Sequence, residues 1–234
     1  MEKRSGEMMI ERGFIEALRL SDFDVIVLAK GEFPKHQVPL SLLQRDIPIV
    51  CCDGAIGSLE QFGKEAFALI GDGDSIPHSL LEKYKTKWHF VADQETNDLT
   101  KAVKFCKEKG FKRIAILGAC GMREDHSLAN ISLLISYCKM LKCEKDSSVM
   151  MFSDYGVFIP IVETTTFASF PKQQVSIFSL ESDKALTSRN LLYPIENRCF
   201  KYWWEGSLNE AENKNFTLET KGEVIVFQTY EAKS

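Results

Sequence analysis

The sequence predicts an α/β fold, with an N-terminal parallel-sheet α/β domain followed by a C-terminal antiparallel β-sandwich. Up to about residue 140, short apolar runs alternate with stretches of helical spacing, the pattern of a parallel sheet with helical crossovers. Near Lys145-Asp146-Ser147-Ser148 the pattern changes, and strand-like segments separated by turn signals follow. A third observation bears on function. Asp53-Gly54-Ala55, Gly71-Asp72-Gly73-Asp74-Ser75, Gln94-Glu95-Thr96-Asn97-Asp98 and residues 118–126 each follow an apolar run and precede a helical stretch. In an open parallel sheet that place is the carboxyl edge, where ligands bind.

Residues 24–29 form the first expected strand, broken by Gly31-Glu32-Phe33-Pro34. A helical stretch over 40–44 leads to a strand over 47–52, and the turn at Asp53-Gly54 leads to a helix over 58–62. Residues 66–70 are the third strand. Pro77, a residue favoured at helix starts, opens a helix over 78–84, and 88–92 is the fourth strand. Leu99, Ala102, Val103 and Cys106 share one apolar helix face, with Thr96 or Asn97 as the N-cap and Gly110 past the end. Residues 114–117 are the fifth strand, and Leu128, Ile131, Ile135 and Cys138 mark the apolar face of the helix after it. Beyond the break at 146/147, strands are expected over 149–152, 156–161, 174–179, 200–204, 215–220 and 223–229, in a small antiparallel sandwich or barrel.

At 234 residues the chain is long enough for one large domain or two modest ones. A net charge of −4 gives no electrostatic reason to expect nucleic acid or an anionic membrane as a partner. The apolar runs are far shorter than a membrane span, and the first residues lack the apolar centre of a signal peptide. Seven scattered cysteines with no Cys-x-x-Cys fit free thiols in a reducing compartment, so a cytoplasmic location is expected. Four dispersed histidines give no spacing for structural zinc.

Gly73 lets the backbone turn sharply, so the carboxylates of Asp72 and Asp74 can converge on one cation. Mg²⁺ takes oxygen ligands, commonly one or two carboxylates plus phosphate oxygens. The plain alternative is a loop whose aspartates only cap turns. Asp98 either shares that chemistry or merely complements its helix dipole, worth about 0.3–1 kcal/mol. Lys101, one turn on, is either a phosphate contact or an exposed helix-face lysine. Gln94, Thr96 and Asn97 add polar groups that a bare helix start does not need. Residues 118–126 form a glycine-bearing loop at a helix N-terminus, a ready anion site, without the Gly-Lys-Ser/Thr of a P-loop. Arg123 can stabilise charge on a transferring phosphoryl group. Asp125 is an N-cap or a functional carboxylate, and His126 a packing residue or a base. Farther on, Trp203-Trp204-Glu205-Gly206-Ser207-Leu208-Asn209-Glu210 offers aromatic faces to a cationic ring, worth about 0.5–2 kcal/mol. As neighbours on a strand the tryptophans would point to opposite sides, one of them into the core.

In this order the motifs resemble the thiamine pyrophosphokinase family, from about residue 25 to residue 227. The resemblance is carried by Gly71-Asp72-Gly73-Asp74-Ser75-Ile76, by Thr96-Asn97-Asp98-Leu99-Thr100-Lys101-Ala102, and by Gly121, Arg123, Asp125, His126 and Asn130. Leu192-Tyr193-Pro194 followed by Ser207-Leu208-Asn209-Glu210 is similar to the family's thiamine-binding stretch. The resemblance implies a homodimer with thiamine between the α/β domain of one subunit and the β-sandwich of the other. It also implies Mg²⁺-dependent transfer of pyrophosphate from ATP to the thiamine hydroxyl, giving thiamine diphosphate and AMP.

Carried over residue by residue, it implies Asp72, Asp74 and Asp98 as metal ligands. Asp53 and Asp125 would complete the catalytic carboxylates, either of them orienting or deprotonating the hydroxyl. Gly31, Gln94, Thr96, Lys101, Gly118, Gly121, Arg123 and His126 would contact ATP. Asp53, Trp203, Trp204, Ser207 and Asn209 would contact thiamine. Residues 1–146 would then be the catalytic domain and 147–234 the domain for thiamine binding and dimerisation. The chain departs from the family at Ala55 and Met122, where glycines are usual, and at Gly73, where phenylalanine is usual; it also lacks the Pro-Asp that often precedes Gly71-Asp72. Two other classes remain open. One is a Mg²⁺-dependent pyrophosphokinase or phosphohydrolase acting on another substrate. The other is a non-catalytic thiamine- or nucleotide-binding module, against which Asp72, Asp74, Asp98 and Asp125 together argue.

Overall fold

The computed structural model describes residues 14–16, 18, 21–91, 93, 95–142 and 146–233. They fall into two compact units, one of Asp22–Asp154 and one of the residues from Tyr155 onward with those ahead of Asp22.

Six strands build the first unit's sheet: β1 (Val25–Leu28), β2 (Ile49–Cys52), β3 (Ala68–Gly71), β4 (Trp88–Phe90), β5 (Arg113–Leu117) and β6 (Ser148–Phe152). Their order is β6-β5-β1-β2-β3-β4, and every neighbouring pair is parallel. β1, β2 and β3 are buried at every position, as continuous apolar runs in parallel sheets are. Helices α1 (Gln37–Leu43), α2 (Ala55–Gln61), α3 (His78–Lys83), α4 (Asp98–Glu108) and α5 (Glu124–Leu141) connect consecutive strands. The chain steps outward from β1 to β4, then returns to the other side of β1 as β5. The loops after β1 and β5 therefore diverge, which opens a crevice at the carboxyl edge.

At the opposite end of β1, Asp24 secures this junction. Its carboxylate accepts the backbone N–H groups of Lys112 and Arg113, each at 2.9 Å, and the Arg113 guanidinium at 2.6 Å. Burial works to raise the Asp24 carboxyl, but these bonds outweigh it and hold the group below the usual carboxylate range.

α4 buries Leu99, Ala102, Val103 and Cys106, as their spacing predicts. Its N-cap is Asn97, whose side chain accepts the Thr100 N–H at 2.9 Å. α5 departs from expectation: Leu134, Ile135, Tyr137 and Leu141 are buried, whereas Leu128 is 55% exposed. Its first turns carry His126 and Asn130 to the cleft, so the core-facing stripe begins later than the apolar spacing implies. Residues 149–152, expected with the second half, lie in β6 and pair in parallel register with β5, Val149 opposite Ile114. The 18-residue α5 supplies the crossover that a parallel pair requires.

The second unit contains β7 (Gly156–Ile161), β8 (Thr165–Ala168), β9 (Gln173–Ser179), β10 (Ala185–Arg189), β11 (Arg198–Cys199), β12 (Asn209–Glu210), β13 (Asn215–Glu219) and β14 (Val224–Ala232). They form antiparallel sheets ordered β12-β9-β14-β7 and β11-β10-β13-β8. Burial alternates along β9, the period of a strand with one face inward. Val175, Ile177, Val224 and Val226 of one sheet meet Phe167, Leu186, Phe216 and Leu218 of the other in a common core, making the unit a β-sandwich. Phe167 and Phe216 stand opposite in register and stack at 4.9 Å.

The expected strand over 200–204 is not formed. The chain turns instead into a 3-10 helix over Trp203–Gly206. Glu205 imposes the turn: its carboxylate accepts the N–H groups of Tyr202 at 2.8 Å and Lys201 at 2.6 Å and pairs with Arg198 at 2.9 Å. No helix among the described residues is long and apolar enough to cross a membrane.

Candidate active site

The loops leaving β1, β2, β3 and β5, with the start of α4, line a cleft of about 470 Å³. Its walls carry Lys30, Gly31, Asp53, Asp72, Ser75, Thr96, Asn97, Asp98, Lys101, Gly121, Met122, Arg123, His126 and Asn130. Segments far apart in sequence thus converge at one sheet edge, with carboxylates and cations interleaved.

Asp53 organises the aspartate loop. It is 5% exposed and sits at φ 35°, a conformation that costs a non-glycine residue about 1–2 kcal/mol. Its carboxylate accepts the Gly73 N–H at 3.1 Å through Oδ1 and the Ser75 N–H at 3.2 Å through Oδ2. Asp72 Oδ1 accepts the Asp74 N–H at 3.2 Å. Asp72 lines the cleft, whereas Asp74 is exposed and does not. Gly73 adopts φ 86°, and a Cβ there would lie 2.8 Å from the Trp88 ring. The Trp88 indole, which donates to the Gly71 carbonyl at 3.3 Å, takes the space that a side chain at position 73 would need.

Lys101 is not a solvated helix-face lysine. Its side chain is 6% exposed and its ammonium lies 3.0 Å from the Asp98 carboxylate. Thr96 donates from its hydroxyl to Asp93 at 2.6 Å, and the Glu95 N–H reaches the same carboxylate at 2.8 Å. The Thr96 bond, followed by that of Glu95, holds the Asp93 carboxyl below its ordinary range. Gln94 lies outside the described residues.

On the other wall, the Gly31 N–H donates to the Gly118 carbonyl at 2.6 Å and the Glu32 N–H to the Cys120 carbonyl at 2.9 Å. A Cβ on Gly31 would come 2.5 Å from the Gly118 oxygen, so only glycine permits this approach. Gly118 serves as that backbone partner and does not line the cleft; Gly121 does. Met122 takes φ 64° with its side chain 78% exposed. Arg123 is the N-cap residue of α5, a place that Asp125 does not take. Arg123 also grips Asp125 in a forked pair, Nε to Oδ1 at 3.0 Å and Nη2 to Oδ2 at 2.6 Å. That guanidinium holds the Asp125 carboxyl below its usual range. His126 is exposed on the cleft wall.

Lys30, Ser75, Asn97 and Asn130 line the cleft without having been assigned a ligand role from the sequence. The sequence signal for Lys30 is its place just past β1, after Ala29, at the carboxyl edge. Ser75 adjoins Asp74, and Asn97 and Asn130 lie within the stretches that carry the family resemblance.

Among the described residues, no three His, Cys, Asp or Glu side chains gather as a metal cage. The donor chemistry nevertheless fits Mg²⁺ brought with a polyphosphate. Asp72 and Asp98 line one cleft, and this ion commonly takes one or two carboxylates, with phosphate oxygens and water completing its shell.

In the second unit, Ser207 and Asn209 line a cavity of about 400 Å³ with Tyr193, Pro194, Arg198 and Glu205. Asn209 is 6% exposed and holds Tyr193 at both backbone groups, accepting its N–H at 3.1 Å and donating to its carbonyl at 2.8 Å. The stretches 192–194 and 207–210 are thereby clasped side by side. Ser207 donates its hydroxyl to the Trp204 carbonyl at 2.7 Å. Neither tryptophan is a core residue, contrary to expectation, because the 3-10 turn removes the strand alternation. Trp203 leans on Phe178 at 5.7 Å and is 40% exposed, while Trp204 is 71% exposed.

Residues 40–144 match the family model of the thiamin pyrophosphokinase catalytic domain, and residues 156–227 match that of the thiamin pyrophosphokinase substrate-binding domain. A curated relative, thiamin pyrophosphokinase 1 of Caenorhabditis elegans, is 31% identical over 97 residues. That match takes in 38% of this chain and spans only 40% of the relative's length. Among solved structures, thiamine pyrophosphokinase from Bacillus subtilis superposes with a TM-score of 0.72 at 20% identity, over 88% of this chain and 98% of that one. Yeast thiamin pyrophosphokinase gives 0.75 at 15% identity, over 92% and 89%. At these identities the solved structures share the fold. With a catalytic-domain match on the unit that holds the cleft and a substrate-binding-domain match on the β-sandwich, the chain belongs to the thiamin pyrophosphokinase family.

Proposed function

We propose that the chain transfers the β,γ-pyrophosphoryl unit of ATP to the hydroxyl of thiamine, giving thiamine diphosphate and AMP. The observation that carries this reading is the placement of Asp72 and Asp98 in the same cleft as Lys101 and Arg123. Carboxylates suit a divalent cation and the basic groups suit phosphate oxygens, which is what a metal–nucleotide substrate requires. In the reaction the thiamine oxygen bonds to the β-phosphorus while the bond from that phosphorus to the α,β-bridging oxygen breaks. The bridging oxygen leaves with AMP, and the hydroxyl proton passes to a base.

Asp72 and Asp98 would hold Mg²⁺, whose charge offsets that of the phosphates. Asp74 shares the loop but not the cleft wall, so the assignment rests mainly on the other pair. Lys101, Arg123, Thr96, Gly31, Gly121 and His126 would orient the polyphosphate. Of the two candidate bases, Asp125 is engaged at both oxygens by Arg123. Asp53 lines the cleft and spends one acceptor site of each oxygen on a backbone N–H. We assign orientation of the hydroxyl to Asp53.

Thiamine would be held with the help of the β-sandwich, by Trp204 and the cavity at Ser207, with the enzyme acting as a homodimer. The apolar side chains exposed on that unit support a covered surface: Tyr193 at 61%, Tyr202 at 65%, Leu208 at 70% and Trp204 at 71%. Incubation with ATP, Mg²⁺ and thiamine, followed by separation of the nucleotides, tests the reading. Equal amounts of AMP and thiamine diphosphate are expected; ADP or free phosphate as the product would overturn it.

A further inference from the structure

A chain of side-chain amides joins the two walls of the cleft. Asn130, on α5, donates from Nδ2 to the Ala119 carbonyl at 2.8 Å and accepts at Oδ1 from Asn97 Nδ2 at 3.1 Å. Asn97 accepts at its own Oδ1 the Thr100 N–H at 2.9 Å and the Thr100 hydroxyl at 2.7 Å. Thr100 Oγ1 lies 2.8 Å from the Tyr137 hydroxyl, inside the core.

The orientation of both amides in this relay is determined. A carbonyl only accepts, so Asn130 presents its NH₂ to Ala119 and its oxygen to Asn97. A backbone N–H only donates, so Asn97 presents its oxygen to Thr100 and its NH₂ to Asn130. Flipping either amide would set donor against donor or acceptor against acceptor.

Ala119 begins the loop that carries Gly121 and Arg123. Asn97 directly precedes Asp98, with Lys101 one turn beyond. Groups on opposite walls can act on one polyphosphate only if their separation is held to a fraction of an ångström. We propose that Asn130 is a positioning residue: its amide sets the distance between the Ala119–Arg123 loop and the Asp98–Lys101 helix start, and so organises binding of a metal–polyphosphate. This rests on the reaction proposed above, and acts through Ala119 and Asn97.

The test is a double-variant cycle on the full chain with Asn130→Ala and Asn97→Ser, the serine keeping a cap for Thr100 but too short to reach Asn130. Mg·ATP binding is read by calorimetry, AMP formation by nucleotide separation and folding by melting temperature. Each single variant is expected to weaken Mg·ATP binding about ten-fold, the scale seen when a supporting partner is lost, while KM for thiamine stays within about two-fold of wild type. The double variant should be within about two-fold of the weaker single one, because the relay is already broken. Asn130→Leu, close in size and uncharged, loses both amide bonds and should match the alanine variant; it carries the test if Asn130→Ala fails to fold. Wild-type Mg·ATP affinity in either Asn130 variant, or losses that multiply in the double variant, would overturn the proposal. If the wild type binds Mg·ATP but forms no AMP, the reaction reading fails while the binding cycle still decides the role of Asn130. If the wild type does not bind Mg·ATP, both fall.

Discussion

The Lys101 ammonium lies 3.0 Å from the Asp98 carboxylate, with the lysine side chain 6% exposed and the aspartate 39%. The cation is out of water and Asp98 is its counter-charge, so the residue assigned to the metal also stabilises the cleft wall. Asp98→Asn is therefore expected to abolish turnover and to destabilise the fold by about 1–2 kcal/mol. That is less than the roughly 3–5 kcal/mol for breaking a fully buried pair, because Asp98 reaches solvent. Asp72 accepts a backbone N–H that an asparagine oxygen accepts equally well. Asp72→Asn should abolish turnover with the melting temperature unchanged within about 2 °C. AMP release at saturating Mg²⁺ and thermal melts check both; near-normal turnover in the two variants removes the metal assignment.

Gly73 and Trp88 are predicted to be coupled. Gly73→Ala places a Cβ against the indole at a backbone angle of φ 86°. The expected cost is about 1–2 kcal/mol of backbone strain plus the displacement of Trp88. Trp88→Ala empties the space but loses the bond to the Gly71 carbonyl. In the double variant the combined loss should be smaller than the sum of the single losses. Urea unfolding of the variants measures the coupling, and strict additivity would show that the two residues do not compete for one space.

The parts of this structure that local spacing controls were legible in the sequence. α4 was, because Leu99, Ala102, Val103 and Cys106 repeat with its period and Asn97 caps it. The cleft was, in outline, because each of its motifs follows its own strand and a parallel sheet gathers strand ends at one edge. What escaped depends on partners distant in the chain. The bonds from Gly73 and Ser75 to Asp53 join residues from different loops. Lys101 reads as a surface lysine until Asp98 and the cleft wall enclose it. Ser148–Phe152 has nothing in its composition to reveal that β5 is its neighbour. Thr165–Ala168 and Ala185–Arg189 are short and polar, and they are strands because of their neighbours: β13 pairs with both, and β11 pairs with the second as well. At Trp203 the strand pattern lost to a single side chain, since the Glu205 carboxylate binds the backbone into a turn.

Asp24 should give the protein an acid-sensitive step. Its carboxyl is held below the usual range in the folded state. A depressed folded value means the stabilisation is complete above the unfolded pKa of about 3.9 and is lost as pH falls through the folded value. Asp24→Asn is expected to cost about 2 kcal/mol at neutral pH through the weakened bonds to Lys112 and Arg113. It should also flatten the fall in stability below about pH 4. Urea midpoints from neutral to acid pH measure this, and parallel curves for wild type and variant would show that Asp24 contributes no such step.

The two tryptophans of the β-sandwich should separate in their effects. Trp203 has the Phe178 ring at 5.7 Å, whereas Trp204 is 71% exposed within a turn fixed by Glu205. Thiamine carries a permanent positive charge on its thiazolium ring, and an exposed indole face held in place is suited to it. Trp204→Ala is expected to raise KM for thiamine at least about ten-fold, combining loss of a ring–cation contact of about 1–2 kcal/mol with lost apolar contact. KM for ATP should change little, and the melting temperature should hold because the side chain leaves no cavity behind. Trp203→Ala should do the reverse, lowering the melting temperature through lost packing on Phe178 with a smaller effect on thiamine. Both KM values and thermal melts for the two variants decide the matter. If Trp204→Ala leaves KM for thiamine unchanged, the aromatic contact lies elsewhere and Trp204 has no part in recognition.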